Sequence, residues 1–148
     1  MPGNPLVDQG VLNLLAANVT WTNFPALNVT APYLDKAGLT LRLEGQTTVQ
    51  HETMTGVVQS PQPYMPVSLV IPLLKTQPLS DSYKSQMEAS AVLGDGTVWP
   101  DVSSGGLSSY QLGNMAIQSV GELNFGGTTP LWGVTLRGVY YVNANAFN

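Results

Sequence analysis

The chain has no cysteine, a single histidine and only 9% charged residues, against roughly a quarter in ordinary soluble domains. Without cysteine there are no disulfides, no thiolate nucleophiles and no Cys-based zinc sites. One histidine rules out a multi-histidine metal centre, and any Ser-His-Asp triad would have to use His51. The positive charges, Lys36, Arg42, Lys75, Lys84 and Arg137, are scattered and the net charge is −4, so no basic patch is present to displace counterions from a nucleic acid. The longest apolar stretch, Val67 to Leu74, contains Ser68 and Pro72 and is too short to cross a bilayer. The polar start Met1-Pro-Gly-Asn-Pro5 has no basic segment leading into an apolar one, and a cleaved secretory leader is not expected. No GxGxxG, no GxxxxGK[ST] and no tandem repeat occurs.

What remains is a chain with 43% hydrophobic residues, enough for one core, in a length that fits one domain over residues 1–148. Its gaps are filled by Gly, Pro, Ser, Thr, Asn and Gln rather than by charge. Burying an ionised side chain costs several kcal/mol, whereas burying a Thr or Val costs little. Such a surface suits contact with other protein, and a subunit of a larger assembly is the first expectation.

Val, Thr and Tyr in alternating patterns predict a mainly β fold. A first strand is expected over Leu15 to Thr22, then a loop at Asn23-Phe-Pro-Ala. Leu39 to Glu44 alternates, with Leu39, Leu41 and Leu43 inward and Thr40, Arg42 and Glu44 outward. Gln46 to Ser60, centred on Met54-Thr-Gly56, reads as a long hairpin with a polar face and a turn near Gly56, or as a mobile loop. Val67, Leu69, Ile71 and Leu73 follow Ser60-Pro-Gln-Pro-Tyr-Met-Pro66. Because Pro66 and Pro72 cannot donate to a ladder, this run is expected at a sheet edge, where a neighbouring subunit would cover it. One helix is predicted, capped by Ser80, with Asp81 near its positive end and Tyr83, Met87 and Ala91 along one face. Leu93-Gly-Asp-Gly96 is expected to end it, with Gly94 left-handed. After a flexible loop at Ser103 to Ser109, two long strands are expected, Leu112 to Leu123 and Leu131 to Val142, joined through Gly126-Gly127 and Pro130. Glycines 113, 121, 133 and 138 mark places where the sheet bends or another backbone approaches.

Few side chains are placed to carry chemistry. His51 lies in the polar hairpin, and Glu52 beside it points to the opposite face of a strand. Glu44, Glu52, Asp101 and Glu122 are possible members of a carboxylate pair, but any acidic domain offers as many. Asp95 between two glycines reads as a tight turn rather than a calcium loop. The Asn-Xaa-Thr sequons at Asn18 and Asn28 are chance occurrences in a Thr-rich chain. Trp21, Trp99, Trp132, Tyr140 and Tyr141 are expected as core or interface anchors more than as a sugar-stacking platform. No catalytic residue, metal or cofactor is expected, and the chain reads as a non-enzyme.

Five segments carry a resemblance: Asn23-Phe-Pro-Ala-Leu-Asn-Val-Thr-Ala-Pro-Tyr-Leu34, Ser60-Pro-Gln-Pro-Tyr-Met65, Leu73-Leu-Lys-Thr-Gln77, Tyr83-Lys-Ser-Gln-Met-Glu88 and Gly138-Val-Tyr-Tyr-Val-Asn143. Together they resemble the tail-tube structural proteins of contractile-tailed bacteriophages, over nearly the whole chain. The resemblance implies a β-sandwich or half-open barrel with one flanking helix, located in the virion tail and assembled in the host cytoplasm. It implies homo-oligomeric partners, hexameric rings stacked into a tube inside a sheath and on a baseplate, with the genome passing through the lumen without specific binding. Secretion-system tubes share that architecture. An acidic balance would keep DNA phosphates from sticking to the wall. Val67, Leu69, Ile71 and Leu73 would be lateral edge residues, and Val49, His51, Met54, Val57 and Val58 would lie on the hairpin that reaches the adjacent ring. The alternatives are a baseplate tube-initiator ring and, in a different class, a carbohydrate-binding module.

Overall fold

The computed structural model describes residues 9–102 and 106–147. Eight strands and one α-helix follow one another: β1 (Asn18–Trp21), β2 (Thr40–Leu43), β3 (Thr48–Glu52), β4 (Val57–Pro61), β5 (Tyr64–Leu74), α1 (Pro78–Ala89), β6 (Val92–Trp99), β7 (Tyr110–Val120) and β8 (Leu131–Tyr141). Six of them form one antiparallel sheet in the order β1-β6-β7-β8-β5-β2, and β3 and β4 form a separate two-stranded sheet. The six-stranded sheet curls into a half-open barrel, and α1 packs against its hollow side, so the expected fold class holds.

Alternation fixes which face is hollow. Val67, Leu69, Ile71 and Leu73 of β5, Val134 and Leu136 of β8, and Met115 and Ile117 of β7 all point into it, together with Val19, Trp21 and Leu93. Each fully buried aliphatic side chain contributes about 1.5–3 kcal/mol. From the helix come Leu79 and Tyr83, and from the segment after β1 come Leu27 and Val29.

Bulges bend the sheet. The β6 and β7 ladder slips register on either side of Gly94, whose φ is +81°, and β7 slips again against β8 between Gly113 and Ala116, where Asn114 has φ 52°. Such bulges sharpen the local twist and let the sheet curl. At Gly138 a Cβ would stand 2.2 Å from Met115 Sδ and 2.7 Å from the Gly113 carbonyl oxygen, so the two bent strands meet there only because that residue has no side chain.

Two expectations are corrected. The helix begins at Pro78 and stops at Ala89. Ser80 is its third residue, and its hydroxyl donates to the Leu74 carbonyl (2.6 Å) instead of capping the helix. Leu93 to Gly96 belongs to β6, so the left-handed Gly94 makes a bulge, not a helix end.

The larger correction concerns β5. It is an inner strand, paired with β8 along its length and with β2 from Val67 to Val70. Val67, Leu69, Ile71 and Leu73 are fully buried in the core and are not edge residues. The reason is the side on which each proline lies. The carbonyls of Pro66 and Pro72 accept bonds from Glu44 and Asp35, on the β2 side of the strand. Their missing N–H groups therefore leave the ladder to β8 intact. They set limits on β2 instead, which pairs only between them. The expected first strand is likewise shorter than Leu15 to Thr22, and Ser103, Ser104 and Gly105 of the expected flexible loop lie outside the described residues.

Candidate assembly interface

The two ends of the six-stranded sheet differ. At β1 the outward backbone is occupied: Val19 exchanges both hydrogen bonds with Val29 (3.0 and 2.8 Å), and the Trp21 amide donates to Asn28 Oδ1 (2.8 Å). At β2, Thr40 and Arg42 pair toward β5, so Leu41 and Leu43 turn their amides and carbonyls outward. Among the described residues those groups have no partner. This is the open edge.

Beside it runs a groove of about 380 Å³, the unclosed seam of the barrel. One wall is Leu39, just before β2, with Leu41 and Leu43 of the strand; the opposite wall includes Val98, Trp99 and Leu107; Lys36 and Asp101 are its charged members. Leu43, Trp99 and Leu107 are substantially exposed, and so is Leu14, which also lines the groove. Contiguous apolar surface of this kind is uncommon on a solitary subunit.

Among the described residues the hairpin β3–β4 pairs only with itself, in the register His51 to Val58 and Glu52 to Val57, and closes through the Thr53 amide and Gly56 carbonyl (2.8 Å). Of the residues expected to reach another copy, Met54 is fully exposed, Val57, Val58 and His51 are exposed, and Val49 is half-buried. Strand alternation puts Val49, His51 and Val58 on one face and Gln50, Glu52 and Val57 on the other. Its root is clamped. The Asn143 side-chain amide donates to the carbonyls of both Thr47 (2.7 Å) and Gln62 (2.8 Å), one on each leg, from a left-handed backbone with φ 55°. Asn is among the few residues that tolerate that conformation. Asn143 was not singled out from sequence; an Asn just past a long strand is the only local signal.

The convex face of the sheet carries a row of partners across β2, β5 and β8: Arg42, Ser68 and Arg137. Glu44 ties this row together, with Arg137 at 2.8 Å and the Ser68 hydroxyl donating at 2.6 Å. Glu44 is therefore held by partners of its own. The other candidate acids, Glu52, Asp101 and Glu122, sit on the hairpin, at the seam and after β7. Among the described residues no group of three or more His, Asp or Glu side chains could hold a metal ion.

The aromatic side chains divide. Trp21 and Trp132 are buried in the core, whereas Trp99 and Tyr141 are exposed. Tyr140 stacks at a tilt on Tyr110, with ring centres 5.3 Å apart. In the core the Trp21 indole N–H donates to the Tyr83 hydroxyl (2.9 Å), which donates to the Leu27 carbonyl (2.7 Å). Burial pushes the Tyr83 hydroxyl well above its ordinary range, opposed in smaller part by that Trp21 bond. This chain joins β1, α1 and the segment that covers the β1 edge. No described helix is long and apolar enough to cross a membrane.

No family model and no curated protein sequence matches the chain. Among solved structures, the cryo-EM structure of the anti-feeding prophage cap, a tube-terminating cap, is similar to it with a TM-score of 0.51 and 12% identity, over 96% of this chain and 99% of that one. What the two share is the fold.

Proposed function

We propose that this chain is a structural subunit of a contractile phage-tail-like assembly, forming rings, six-membered by resemblance, that stack into a tube for passage of a genome. The observation that carries this reading is the open β2 edge beside an exposed apolar seam, in a chain with very few charges. An edge of that kind invites another strand, and its natural partner in such an assembly is another copy. The fold shared with a tube cap supports the same reading.

The lateral role first expected of β5 passes to β2 and its Leu41 and Leu43. The hairpin, with Val49, His51, Met54, Val57 and Val58, keeps its proposed reach to another copy. Sheath and baseplate proteins are the further partners, and the virion tail the location. No enzymatic role is proposed. The neighbour's place at the end of a tube favours a second reading, a ring that stands at a tube terminus, of which the baseplate initiator is one case.

Negative-stain microscopy of concentrated protein tests both. Long stacked rings support the main tube subunit, single or short stacks support the terminal ring, and monomers at every concentration contradict both. Deleting Val49 to Val58 is expected to abolish tubes while leaving the six-stranded sheet folded, because the hairpin is a separate sheet. Tubes of normal length from that variant would remove the hairpin from the contact.

A further inference from the structure

The open edge of β2 has a definite chemistry. It offers the outward backbone groups of Leu41 and Leu43 to an added strand. On the hollow side, such a strand would lie over the groove lined by Leu41, Leu43, Trp99 and Asp101. On the convex side it would lie beside Arg42, which shares a row with Ser68 and Arg137. The strand that fits must therefore be apolar on one face and carry an acid for Arg42 on the other, since Glu44 already holds Arg137. It must also have an unpaired edge of its own.

The β1 edge does not qualify, since Asn28 and Val29 already cover it. The hairpin does. Among the described residues each of its strands pairs only with the other and so keeps one free edge. One of its faces presents Val49, His51 and Val58, and the other presents Gln50, Glu52 and Val57. Laid along β2 with Val49 and Val58 over the groove, the hairpin places Glu52 on the side of Arg42 and His51 on the side of Asp101. Glu52 is opposite in charge to Arg42, the His51 ring can hydrogen-bond to the Asp101 carboxylate, and both placements follow from alternation alone.

We propose that the occupant of this seam is the β3–β4 hairpin of a second copy, which extends the neighbour's six-stranded sheet along the free edge of β2. The inference rests on the assembly reading above and names the surface through which one copy holds the next. Such a contact is head-to-tail, so it propagates or closes into a ring instead of stopping at a dimer. The Asn143 clamp holds the hairpin root against the body, so the arm is presented in a fixed direction before it meets its partner.

The test exploits the lack of cysteine. Single-cysteine variants Leu43→Cys and Val58→Cys are mixed at assembling concentration, treated with a short bis-maleimide, and the product is mapped by mass spectrometry. A Leu43-to-Val58 link between copies is expected. It should fall at least tenfold on adding Arg42→Glu to the first variant or Glu52→Arg to the second, and return when both reversals are combined. Rings or tubes that form without the link overturn this inference and leave the assembly reading standing. A link from Leu43→Cys to a Leu14→Cys copy in place of the Val58→Cys copy, or one formed within a single copy of the dilute Leu43→Cys/Val58→Cys double variant, also overturns it. Monomers at every concentration, with no link, overturn both readings.

Discussion

The walls of the barrel and its seam are built from the same alternating strands, yet they end differently. In β5, β7 and β8 the inward side chains pack into one core, and the strands pair on both sides. At β2 the inward leucines meet a groove, and the outward backbone meets nothing among the described residues. What separates the two regions is the number of neighbours each strand has. The wall holds the subunit together, and the seam is left for another molecule. Substitutions in the wall should therefore cost stability, and those at the seam and arm should cost assembly.

The largest loss is expected for Leu69→Ala in the fully buried centre of β5, about 4 kcal/mol by chemical denaturation, because the cavity is enclosed on every side. A loss below about 1 kcal/mol would mean that the wall is loosely packed. Tyr83→Phe comes next. It strands both the Trp21 N–H and the Leu27 carbonyl in the core, for a loss of about 3 kcal/mol. Trp132 sharpens this point, since its indole N–H is buried without a partner among the described residues. Trp132→Phe loses no hydrogen bond and should cost less than Tyr83→Phe, in the same denaturation series. The two results reversed would contradict the network.

The raised pKa of the Tyr83 hydroxyl adds a pH dependence with a definite sign. Between its unfolded value, about 10, and its higher folded value the native state binds more protons than the unfolded one. Stability from this group is full below about pH 10 and declines as pH rises beyond it. Tyr83→Phe should remove that part of the alkaline decline.

Smaller effects belong to the arm. Asn143→Gly accepts the left-handed backbone but loses two hydrogen bonds to the hairpin root. It should cost about 1–2 kcal/mol and speed hydrogen exchange across residues 48–61, leaving β7 and β8 unchanged. Uniform acceleration over the sheet would show that Asn143 supports the whole fold. Smallest of all, Met54→Ser should alter stability by no more than about 0.5 kcal/mol, because the side chain is fully exposed, while weakening assembly seen by sedimentation.

Much of this division is legible in the residues. The alternation of Leu39 to Glu44, the turn at Gly56 and the last two strands come from short-range patterns, and each appears near its expected place. Sheet order does not come from such patterns. Pro66 and Pro72 correctly mark a side without donors, but a sequence cannot say whether that side faces solvent or a short neighbouring strand. The four-residue β2 between them is the answer. Gly94 was expected in a left-handed conformation and has it, though in a strand bulge, since the local requirement is the same in both settings. The arm's face-by-face match to the seam could not be read either. It needs the hairpin register, which pairs His51 with Val58, and the knowledge that β2 is open.

Amide hydrogen exchange of dilute and concentrated protein tests the open edge most directly. Assembly through β2 predicts that the amides of Leu41 and Leu43 become protected as concentration rises, together with those of the hairpin, while β7 and β8 stay as they are. Oligomers in which the Leu41 and Leu43 amides exchange as fast as in the monomer would contradict it.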